Sequence, residues 1–183
     1  MKKGISLLIL FMLFATSAFL QQKDKDLITL NGVNAFTSKT EILQQFGGPI
    51  AITKPDYECG FLSSDEQGEV FYSLEYDGFK WTGTEKRDYV LEELKIEKVD
   101  SLLIKFQSEL VSQNTSSTKF LEIAGDLEVS VDKSKGGVNA WFKSTLKNKE
   151  VEVFCITVPL YDDAYHFYFV DDRLDFIAYW SPC

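Results

Sequence analysis

A chain of 183 residues with 28 acidic against 19 basic side chains, and a formal net charge of −9, is poorly suited to nucleic acid or to anionic lipid. Both would need clustered Lys and Arg to displace counterions. At 45% hydrophobic and 14% aromatic residues, the chain has enough apolar surface for one domain or two small ones.

In chain order, Lys2 and Lys3 precede an apolar run from Ile5 to Phe14, followed by the small residues Ala15 to Ala18. A charged start, a short apolar segment and small residues at a cleavage position read as a signal peptide over 1–18. The run to Leu20 is shorter than the ~20 residues that span a bilayer, and the first cysteine is Cys59. The expectation is therefore an exported chain, periplasmic or extracellular, beginning near Phe19 and without a membrane span. Losing two lysines makes it more acidic still, which suits a basic partner.

"LITL-NG-VNAF" predicts a hairpin about Asn31-Gly32. "TSKTEILQQFGG" (37–48) then matches "TSSTKFLEIAGD" (115–126) without a gap at Thr, Ser, Thr, Leu and Gly. In the first copy Ser38 and Glu41 form a capping box. Ile42, Leu43 and Phe46 share a helical face, and Gly47 and Gly48 stop the helix. In the second copy Phe120, Leu121 and Ala124 take the face and Gly125 the stop, with Lys119 in the place of the box acid. Helices this short do not hold alone in water, so each must lie on something apolar.

Strand-like runs follow both helices. After the first come "YECGFL", "EVFYSLEY", an Asp77-Gly78 turn, "FKWTG" and "YVLEELKIE". After the second come "LEVSV", "VNAWF", "VEVFCITV", "YHFYFV" and, beyond Asp171-Asp172-Arg173, "LDFIAYW". Residues 91–110 satisfy both helical and strand spacing. The duplication favours strands there, because this stretch stands where "LITL" stands before the first helix. The reading is an α+β fold: two tandem repeats (27–97 and 98–183) of a short helix followed by antiparallel strands, helices packed on one sheet face.

Export permits a disulfide between two of Cys59, Cys155 and Cys183, with no pairing preferred. There is no CxxC and only one histidine, so no metal site is expected. "KSKGGVN" lacks the GK[ST] ending of a phosphate loop, and no cofactor is expected. His166 lies between Tyr165 and Phe167 with no GxSxG serine to serve, and "DDRLD" lacks the ligand spacing of a calcium loop. These read as a packed strand histidine and a charged hairpin tip, and the chain as not an enzyme.

The order of elements, carried by "SKTEILQQFGGP" with "YDG" and by "STKFLEIAGD" with "VDDRL", resembles the β-lactamase-inhibitor-protein-like architecture. The single unit is similar to outer-membrane-assembly lipoproteins of the SmpA/OmlA (BamE) type. The resemblance implies binding: such inhibitors cover an enzyme with an aromatic-rich sheet face. Tyr76, Trp81, Tyr165 and Trp180 are the expected partner-binding residues, since each borders a turn. The functional expectation is a protein-binding module, an inhibitor or immunity protein for a secreted enzyme or toxin. An envelope assembly component and an unrecognised hydrolase are the alternatives.

Overall fold

The computed structural model describes residues 27–55, 70–135, 149–158 and 163–181. The expected signal segment, Cys59, Cys183, "YECGFL" and "VNAWF" lie outside the described residues. Among those described, the chain forms thirteen strands and two α-helices of eight residues each. The first part runs β1 (Ile28–Leu30), β2 (Val33–Asn34), β3 (Phe36–Thr37), α1 (Lys39–Phe46), β4 (Ala51–Thr53), β5 (Phe71–Tyr76), β6 (Phe79–Thr84) and β7 (Tyr89–Lys95). It continues through a 3-10 turn (Ile96–Lys98) to β8 (Ile104–Phe106), β9 (Glu109–Val111), α2 (Ser117–Ala124), β10 (Val129–Lys135), β11 (Glu150–Thr157), β12 (Ala164–Val170) and β13 (Arg173–Trp180).

These strands make two antiparallel sheets. The small one has the order β2-β1-β8-β9, and the large one β10-β11-β12-β13-β7-β6-β5-β4, with β3 beside β7. β7 is shared: its Tyr89–Val90 end pairs with β3, and its Glu93–Lys95 end pairs with β13. Ladders thus cross the boundary drawn at residue 97, both here and where β1 meets β8.

This overturns the α+β expectation of two repeats with helices laid on one sheet face. The protein is mainly antiparallel β, and the small sheet packs on the inner face of the large one. Phe106 of β8 meets Phe167 of β12 at 5.0 Å between ring centroids. The physical reason is helix size. At 1.5 Å per residue, eight residues reach only about 12 Å, and the helices bury just Ile42 in α1 and Phe120 and Ala124 in α2. They flank a sheet-on-sheet core rather than forming a layer.

Local signals place the turns. Asn31 and Gly32 both take positive φ, 50° and 82°, the two-residue hairpin that matches strand twist. Asp171 and Asp172 do the same at 51° and 60°. Ser38 Oγ accepts from the Glu41 amide at 3.3 Å, and Ser116 Oγ from the Lys119 amide at 3.1 Å. Gly47 and Gly125 close both helices with φ of 74° and 57°. Residues 91–110 resolve into β7, the 3-10 turn, β8 and β9, with no α-helix.

The main core runs between the sheets and holds Trp81, Phe106, Phe120, Phe154, Phe167 and Phe169. A second cluster, Val151, Val153, Tyr168, Val170 and Phe176, is buried on the opposite face of the large sheet.

Candidate functional site

Strand alternation decides the fate of the four aromatic candidates, because successive side chains point to opposite faces. Trp81 and Tyr165 face the core and are 0% and 1% exposed, so neither offers a surface to a partner. Trp81 packs near Phe46, and Tyr165 packs edge-on to Phe36 and Tyr179. Tyr76 is half-buried and holds the end of α1. Its hydroxyl donates to the Gly47 carbonyl at 2.9 Å, and its ring stacks on Phe79 at 4.7 Å. Trp180 points outward and is 46% exposed. Proximity to a turn is thus a weaker guide than the phase of the strand.

Trp180 stands on the outer face of the large sheet, the face turned away from the small one. The ladders bring a row of residues together there from separate strands: Cys155 opposite His166, His166 opposite Ala178, Ala178 opposite Glu93, and Glu93 opposite Lys80. The Trp180 ring lies nearly parallel to that of His166, at 13° and 6.0 Å, and Tyr168 meets His166 edge-on at 6.2 Å. Burial lowers the His166 pKa, so the imidazole is neutral at pH 7. Burial raises that of Cys155, against a smaller opposing effect of its hydrogen bond with Ser130. Cys155 carries a free thiol.

On the β5–β7 side the face becomes charged. A register shift after Lys80 in the β6–β7 ladder turns two successive acids, Glu92 and Glu93, toward one lysine. Lys80 Nζ lies 3.2 Å from Glu92 and 2.8 Å from Glu93. Thr82 donates to Glu92, and Thr82 meets Ser73 at 2.8 Å, both hydroxyls being buried. The Lys80 pKa is raised: desolvation, the largest single effect, pulls it down, and the bonds and charges of Glu93 and Glu92 together outweigh it.

Sequence reasoning singled out Trp180 and His166 but missed Lys80, Glu92 and Glu93. The available signal was "YVLEELK", where two consecutive acids interrupt a strand whose alternation allows only one on a face.

The groups that a metal site would need do not converge here, since no cluster of three His, Cys, Asp or Glu ligands occurs among the described residues. No helix of the described residues is long and apolar enough to cross a membrane. Compared with protein-family models, curated proteins and solved structures, the chain matches none.

Proposed function

We propose that this chain is an exported protein-binding module that acts by covering a partner, as an inhibitor or immunity protein for a secreted enzyme or toxin would. One observation carries the reading: Trp180, nearly half exposed, stands on the outer face of a broad antiparallel sheet beside His166. Exposed tryptophan on a rigid surface is the residue type most enriched among binding hot spots. The likeness to inhibitor proteins in "SKTEILQQFGGP" with "YDG" points the same way. The reading is non-catalytic, because His166 has no GxSxG serine to serve.

The test is capture. The immobilised protein is exposed to envelope and secreted extract from its own source, beside a Trp180→Ala column. The expected result is one soluble protein retained at one-to-one stoichiometry and at least about thirtyfold depleted on the variant column, the loss of about 2 kcal/mol or more that defines a hot spot. Recovery of membrane-assembly components would replace this reading with the envelope role. Equal retention on both columns would remove Trp180 from the interface.

A further inference from the structure

Trp180 is one half of a pair. Its indole lies nearly parallel to the His166 imidazole, at 13° and 6.0 Å between centroids, and Tyr168 meets the same imidazole edge-on at 6.2 Å. His166 is half-buried and Trp180 exposed, so a surface that docks on the indole also takes water from the imidazole. His166 is the only histidine of the chain.

The groups beside the imidazole carry no charge at neutral pH. The ladders place Cys155 on one side of it and Ala178 on the other, and burial holds the Cys155 thiol protonated. The charged residues of this face stand two strands away. On one side are Asp132 of β10 and Glu128 just ahead of that strand, and on the other Glu93 and Lys95 of β7. Two strand spacings are about 10 Å, near the Debye length at physiological salt, and Glu93 is already paired with Lys80 at 2.8 Å. Asp175 is the extra residue of the β13 bulge, beyond Phe176. Asp163 turns to the opposite face, where it accepts from the Tyr179 hydroxyl.

An imidazolium at this position therefore has no carboxylate in contact among the described residues. The indole face attracts a cation and burial opposes one. The pKa of His166 is lowered, the sign that burial gives. A partner seated on Trp180 removes the remaining water and adds to the opposing side.

We infer that Trp180 and His166 form an acid-releasing contact: the protein partner lays a surface without a carboxylate over the pair, stays while His166 is neutral and leaves when His166 takes a proton. This rests on the protein-binding reading above. The sign follows from linkage. Covering the ring lowers its pKa further in the complex, so affinity is full above the pKa of the free chain and falls as pH drops through it. Each further unit of lowering weakens binding in acid by up to about tenfold. A partner carboxylate over the ring reverses the sign, and acid then tightens the complex.

The experiment has two arms. In the first, NMR follows the His166 ring protons and the Trp180 indole N–H of the full chain from about pH 8 to about pH 5, the range in which histidine titrates. Loss of the indole signal in Trp180→Phe identifies it. The expected His166 midpoint lies below the ordinary 6.5, and the indole shifts with it in wild type but not in His166→Gln. In the second arm, the protein captured by the immobilised chain is measured for affinity at about pH 7.5 and about pH 5. Wild type should bind it about three- to tenfold more weakly in acid, and His166→Gln equally at both. The spread of indole resonances reports whether His166→Gln folds, and the wild-type arms stand without it.

A midpoint at or above 6.5, or an indole that ignores the titration, overturns acid release. So does wild-type affinity that is unchanged or tighter in acid, or an equal acid loss in His166→Gln. The two readings fail separately. A captured partner indifferent to pH leaves the binding module standing without acid release. A column that captures no protein sinks the module, and acid release with it, whatever the ring titration.

Discussion

The Asp172 carboxylate accepts both the backbone N–H of Ser117, at 2.9 Å, and its side-chain hydroxyl, at 2.7 Å. The β12–β13 turn thereby supplies a second cap to a helix that begins 55 residues earlier in the chain. The hairpin's backbone is tied to the same place, since the Leu174 amide donates to the Thr115 carbonyl at 3.1 Å. A negative charge at a helix N-terminus meets unsatisfied amides and the positive end of the helix dipole. The charged tip read from "DDRLD" is thus a structural clasp.

Asp172 is held below its ordinary value of 3.8, first by the Ser117 hydroxyl and then by its amide. A depressed carboxyl pKa adds stability above the unfolded value, and that stability is lost as pH falls through the folded value. Asp172→Ala is expected to lower Tm at pH 7, and the difference from wild type should shrink as pH falls below 3.8 through the depressed folded value, vanishing once the carboxylate is protonated in both states. Thermal melts across pH 2–7 check this. A difference that persists undiminished at the acid end would mean that the charge is not the cause.

Lys80 joins β6 to both acids of β7. Replacing it with Met leaves two carboxylates facing each other on a partly buried surface, and should cost about 1–2 kcal/mol in urea unfolding. The figure sits below that for a fully buried pair because solvent screens these groups. The lysine's raised pKa sets the sign in alkali: its stabilisation is complete below the unfolded value of 10.5 and disappears as pH rises through the folded one. Lys80→Met should therefore converge with wild type at strongly alkaline pH.

Gly83 sits beneath Tyr89, and an added Cβ would stand 2.7 Å from both the Tyr89 Cα and Cγ, and 2.8 Å from the Asp88 carbonyl oxygen. Two of those three atoms are backbone and cannot swing aside. Gly83→Ala should destabilise by about 1–3 kcal/mol, the range for overpacking a filled core. Gly48→Ala, which meets nothing within 4 Å, is the control and should be near neutral. Chemical denaturation of the two variants separates steric cost from the general effect of losing a glycine.

Phe120 is the apolar anchor of α2. It stacks on Phe106 of the small sheet at 5.0 Å and meets Phe167 and Phe169 of the large one at 4.5 and 5.4 Å. Phe120→Ala should cost about 3–5 kcal/mol. Its neighbour Leu121, assigned by helical spacing to the same face, is 43% exposed, and Leu121→Ala should change stability by less than about 0.5 kcal/mol. Similar losses from both would show that α2 buries a wider face than the structure has.

The features legible from sequence are those governed by neighbours in the chain. Asn31-Gly32 and Asp171-Asp172 make turns because those residues tolerate positive φ. Ser38 and Ser116 cap helices, and Gly47 and Gly125 end them, because each acts within one turn of its own position. The Gln107-Ser108 turn was not legible, since both residues take positive φ without the usual Asn, Asp or Gly signal. The capping box was legible only in part: Glu41 accepts from the Thr37 hydroxyl.

Partnership between distant segments was decided by the tertiary structure alone. Nothing local in "LITL" says that β1 will pair with β8, or in "YVLEELK" that β7 will join β13, yet those ladders make two sheets out of an apparent series of helix-plus-strand units. The same holds at the candidate site. A period of two says that Trp81 and Trp180 lie on one face or the other, but only the packing of the small sheet decides which face is the core. Local conformational preference is settled by a few adjacent residues. Burial depends on which surfaces meet, and that is a property of the whole chain.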